Sequence, residues 1–83
     1  MQPGKALMPI LQKIYEPSSI IWLQFKKHDL ALKTDKDGNP VMLFIGKAGP
    51  EGRIKGKRFV RTLKKDAAGR IIKDHWELKG KST

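Results

Sequence analysis

The chain has no cysteine. Disulfides, thiolate metal sites and a cysteine nucleophile are therefore excluded. It also lacks any apolar run near the roughly 18 residues that a membrane helix needs. The run ALMPIL after Lys5 is too short for a signal-peptide core, and no small-residue cleavage site follows it. The expectation is a soluble protein of a reducing compartment, the cytoplasm, with no membrane span. Residues able to do chemistry are few. The serines are Ser18, Ser19 and Ser82, and none stands in a nucleophile motif. The histidines have carboxylate neighbours in His28-Asp29 and Asp74-His75. Adjacent strand residues point to opposite faces, so neither pair forms a dyad by itself, and no metal-ligand spacing is present. No enzyme, metal or cofactor is expected.

Three stretches imitate ligand loops and fail. Gly80-Lys81-Ser82-Thr83 resembles the end of a phosphate-binding loop, but His75 stands where its first glycine belongs and no helix follows. Asp35-Lys36-Asp37-Gly38-Asn39 resembles the start of a calcium loop, with its glycine two places early and Gly46 where the bidentate glutamate belongs. The glycines at 46, 49 and 52 lack the dinucleotide spacing, and Pro50 removes one N–H donor.

Acidic residues are scarce too: 8 against 18 basic, a formal net charge of +10 and a pI near 10.2 in 83 residues. The excess is uneven. Residues 1–45 hold six basic and four acidic side chains, a net of +2, and residues 46–83 hold twelve and four, a net of +8. Such asymmetry points to a polyanionic partner. Lysine outnumbers arginine fourteen to four, which favours point-charge contact with phosphates over bidentate base reading.

What is present describes one small globular domain, 39% hydrophobic with two Trp, three Phe and one Tyr. A chain this short buries only about 60% of its unfolded surface. Residues 1–17 form an N-terminal helical segment, with a helix expected over Pro9–Tyr15, where Leu7, Leu11 and Ile14 recur at helical spacing. Residues 18–79 form an antiparallel sheet, and 80–83 a polar tail. Strands are expected over Ser19–Phe25, Leu30–Leu32 and Val41–Ile45, with loops at Asp35–Pro40 and Gly46–Gly52. Arg53–Lys65 and Arg70–Leu78 make a hairpin around Asp66-Ala67-Ala68-Gly69, a type I turn with Gly69 left-handed. Pairing Leu63 with Ile72 places Arg61 opposite Asp74, Phe59 opposite Trp76 and Arg58 opposite Glu77. The fold class is α+β: a short N-terminal helix on a curved antiparallel sheet of four to five strands, coiling into a partly open barrel of the SH3-like or OB-like kind.

Phe59 and Trp76 are expected in the core, and Trp22 is assigned there as well. The cations without partners in this register, Arg53, Lys55, Lys57, Lys64, Lys65, Arg70 and Lys73, form the candidate nucleic-acid-binding set. The function expected is a non-enzymatic domain that binds the phosphate backbone of DNA or RNA with little sequence specificity. The alternative is a protein-interaction or homodimerisation module that offers an edge strand such as Arg53–Lys57, or an exposed aromatic patch, to an acidic partner or a second copy.

Overall fold

The computed structural model describes residues 3–82, and the side chains of residues 3–81. A 3-10 turn, Lys5–Leu7, runs into the helix α1, Met8–Leu11, with Pro9 in its first turn, where a missing N–H costs nothing. The helix stops four residues short of Tyr15. A tertiary bond takes over there: the Tyr15 N–H donates to Gly38 O at 2.9 Å and its hydroxyl donates back to Ile10 O at 2.7 Å.

Five strands follow: β1 Ile20–Phe25, β2 His28–Thr34, β3 Pro40–Ala48, β4 Ile54–Lys65 and β5 Ile71–Ser82. Each pairs antiparallel with the next, so the sheet is a meander in chain order with β1 and β5 at its edges. It does not close into a barrel. Strand β4 is interior, paired on both sides over residues 56–65. Of the expected edge Arg53–Lys57, the residues Gly56 and Lys57 are thus covered by β5, while Ile54 and Lys55 pair, among the described residues, with β3 alone. Strand β5 extends through Gly80 to Ser82, where a polar tail was expected, and Thr83 lies outside the described residues.

One face of the sheet carries the core. Leu30 and Leu32 of β2, Leu43 of β3, Phe59 of β4 and Trp76 of β5 pack with Leu7 and Leu11 from the helical segment. Leu7 and Leu11 are four residues apart, hence on one side of the helical segment. Ile21, Leu23 and Phe25 take the same face on β1. Trp22 therefore points to the opposite face and is 57% exposed, against the expectation that it is core.

Three hairpin turns share one hydrogen-bond pattern. In Asp35–Gly38, Gly49–Gly52 and Asp66–Gly69 the glycine N–H donates to the carbonyl of the first residue, whose own N–H bonds the residue after the glycine. Gly38 and Gly69 have φ of 85° and 84°, the left-handed region expected for Gly69. The register of β4 and β5 differs by two residues from simple counting. Leu63 faces Asp74, because the turn is wider than assumed and Ile72 bulges out between Lys64/Lys73 and Lys65/Ile71. A two-residue shift keeps every side chain on its face. Arg61 thus lies opposite Trp76 and still reaches Asp74 diagonally. Phe59 faces Leu78, and Arg58 faces Gly80, leaving Glu77 to pair with Lys79.

Candidate nucleic-acid interface

The face opposite the core has no helix over it among the described residues. Its side chains form cross-strand rows. One row runs Trp22, Ala31, Phe44 and Arg58 across β1 to β4, and the next runs Ile20, Lys33, Met42 and Val60. Lys33 Nζ sits 5.8 Å from the centre of the Phe44 ring, within cation–π reach.

The tip of the β3–β4 hairpin bends over this face. Gly46 and Gly56 are directly paired, and a Cβ on Gly46 would stand 1.9 Å from Lys55 O, one on Gly56 2.0 Å from Ile45 O. The two chains approach so closely there that only glycine fits, and paired glycines permit a sharp bend in a sheet. Beyond the bend, Ile54 is buried yet separate from the main core cluster. With Gly52 and Arg53 it roofs a hollow of ≈ 440 Å³ whose floor and walls are Ile20, Trp22, Ala31, Lys33 and Phe44. Asp29 holds the hairpin in place by accepting the Ala48 N–H at 2.8 Å and Gln24 Nε2 at 3.2 Å. The bond from Ala48, with that from Gln24, keeps the Asp29 carboxyl below its ordinary range. The hollow is apolar within, carries the two cations Lys33 and Arg53, and has no carboxylate in its lining.

The seven cations singled out from the sequence fall into separate groups. Arg53 rims the hollow. Lys64 and Lys73 face each other on the open side, several rows further along β4 and β5. Lys55 and Lys57 point to the helix side, where Lys55 faces Lys47 and Lys57 faces Lys81. Lys65 pairs with Asp37 at 3.3 Å and Arg70 with Asp66 at 3.2 Å, so both are partly neutralised. Two residues outside that set, Lys33 and Arg58, share the aromatic rows. Arg58 is left out of that set because the expected register pairs it with Glu77, and Lys33 because it lies outside the C-terminal hairpin; the pairing of β2, β3 and β4 places both beside Phe44.

Arg61 is the exception among the cations. Its side chain is 4% exposed, and it donates to both Asp74 oxygens, at 2.6 and 2.7 Å, to Pro40 O at 3.1 Å and to Leu11 O at 3.3 Å. It locks the end of the helix to the sheet and offers nothing to a ligand. Among the described residues no group of three or more His, Cys, Asp or Glu could hold a metal ion, and no helix is long and apolar enough to cross a membrane. No protein-family model matches the chain, and no curated protein and no solved structure matches it.

Proposed function

We propose that this chain is a non-enzymatic, cytoplasmic nucleic-acid-binding domain that contacts phosphates with little sequence specificity. The observation that carries the reading is three directly opposed lysine pairs, Lys47/Lys55, Lys57/Lys81 and Lys64/Lys73. Like charges directly opposite on a sheet destabilise it. Among the described residues, none of these six lysines has a carboxylate partner. A sheet that tolerates this repulsion three times over is suited to a polyanion, whose phosphates would relieve it. The bend at Gly46 and Gly56 curves the sheet in the manner of a partly open SH3-like barrel, although the meander order of its strands departs from the Greek-key order of OB-like barrels.

Fluorescence anisotropy with labelled single-stranded and duplex oligonucleotides over a salt series tests the reading. Affinity should fall steeply as salt rises, in proportion to the phosphates neutralised. Replacing Lys64 and Lys73 by Glu should weaken binding to all sequences alike and flatten the salt dependence. Absence of binding at about 50 mM salt contradicts the reading.

One observation favours the protein-interaction alternative. The edge strand β5 is 12 residues long, and Ile71 and Ile72 are exposed at its start. Light scattering after size exclusion in high salt separates the two readings, since a dimer held by that edge persists when charge is screened.

A further inference from the structure

We infer that the roofed hollow on the open face takes one unstacked base of a single-stranded nucleic acid, with Trp22 as its stacking platform. The inference rests on the nucleic-acid reading above and goes further, assigning strand type and a base subsite. Trp22 and Phe44 stand on strands about 10 Å apart, two inter-strand spacings, and only the Ala31 side chain lies between them in their row. A flat ring laid against the exposed Trp22 meets aromatic surface there, with Phe44 and the buried Ile54 and Ala31 completing the lining. The volume, ≈ 440 Å³, falls in the range of small-ligand sites.

Charge complementarity identifies the occupant. Lys33 and Arg53 are donors only, so the polar rim of the hollow suits base carbonyls, ring nitrogens and phosphate oxygens. Arg58 closes the aromatic row, and Lys64 and Lys73 stand on the same face three rows further on, beyond the Val60/Glu77 and Thr62/His75 pairs. This is the combination by which single strands are held: cations for the backbone and an aromatic face for a base. A paired and stacked base has no free face to lay on Trp22, so a duplex gains only the phosphate contacts.

The test uses the full chain with a short oligothymidylate, the same length of abasic backbone, and a duplex. Stacking on Trp22 should quench its fluorescence when the oligothymidylate binds. Trp22→Ala should lower affinity for the oligothymidylate roughly 5- to 150-fold, the range for loss of one stacked base, and bring it level with the abasic strand. Trp22→Phe should keep affinity close to wild type and abolish the quench, since the remaining indole, Trp76, is buried in the core. Both variants should melt as wild type does, because Trp22 faces away from the core. If Trp22→Ala binds as tightly as wild type, or the abasic strand binds as tightly as the oligothymidylate, the base subsite is overturned while phosphate binding stands. Failure of all three nucleic acids to bind at low salt overturns both, as does capture in the hollow of an acidic peptide with an apolar anchor when no oligonucleotide binds.

Discussion

Arg61 does the work of a core residue while carrying a full charge. A buried cation is tolerated when its donors are matched, and here two carboxylate oxygens and two backbone carbonyls take four of them, with the guanidinium 5.6 Å from the centre of the Trp76 ring. Removing it leaves Leu11 O and Pro40 O without this donor and unlocks α1 from the sheet. Arg61→Met should therefore lower unfolding free energy in urea by about 3 kcal/mol. The pair also sets a pH dependence. The hydrogen bonds from Arg61 hold the Asp74 carboxyl below its ordinary range, despite some burial. A depressed folded-state pKa contributes stability that is fully present above the unfolded value, about 3.9, and is lost as pH falls through the folded value. The stability gap between wild type and Asp74→Asn should thus be constant near neutrality and narrow below about pH 4. A gap that persists unchanged into acid contradicts this role.

At this scale the sequence is a partial guide. Charge complementarity brought Arg61 and Asp74 together even though the register was two residues out, since a shift of two preserves the face. Trp22 was not legible. Ile20-Ile21-Trp22-Leu23 is apolar on both sides, so alternation carries no signal about which face meets the core. Packing decides it: Ile21, Leu23 and Phe25 side with Leu30 and Leu32, and Trp22 is left on the open face.

Elements were read best where turn chemistry is strong. Asp66 and Gly69 form the expected turn, with the Asp66 carboxylate accepting the N–H groups of Ala68 and Arg70 at 2.9 Å. The β1–β2 hairpin turns instead on Lys26-Lys27, with Lys26 at φ 55°, a conformation lysine rarely adopts and no composition announces. Gly46 reads as the start of a loop because glycine usually breaks strands. Here it keeps its ladder partner and bends the hairpin, which is what makes the hollow. Gly46→Ala should cost about 1–3 kcal/mol in urea unfolding, the usual range for an added methyl with no room, and should weaken oligonucleotide binding. Gly4→Ala, where nothing stands within 4 Å of the new methyl, should change neither. Equal behaviour of the two variants would contradict the bend.

For the molecule as a whole, the net charge of +10 forecasts a polyanion but not where it lies. The seven cations that looked like one track are divided between two faces and two local ion pairs, a division produced by strand alternation and by Asp37 and Asp66, which counting along the chain does not resolve. The structure adds a second kind of surface to that charge, an aromatic and roofed one, and the account stands or falls on whether ligand meets it. A 1H–15N titration with oligothymidylate tests this directly. The account predicts shifts concentrated at the Trp22 indole and the amides of Ala31, Lys33, Phe44 and Ile54, with the Trp76 indole unmoved. Shifts confined to the helix side, around Leu7, Leu11 and Lys57, with the Trp22 indole silent, would contradict it.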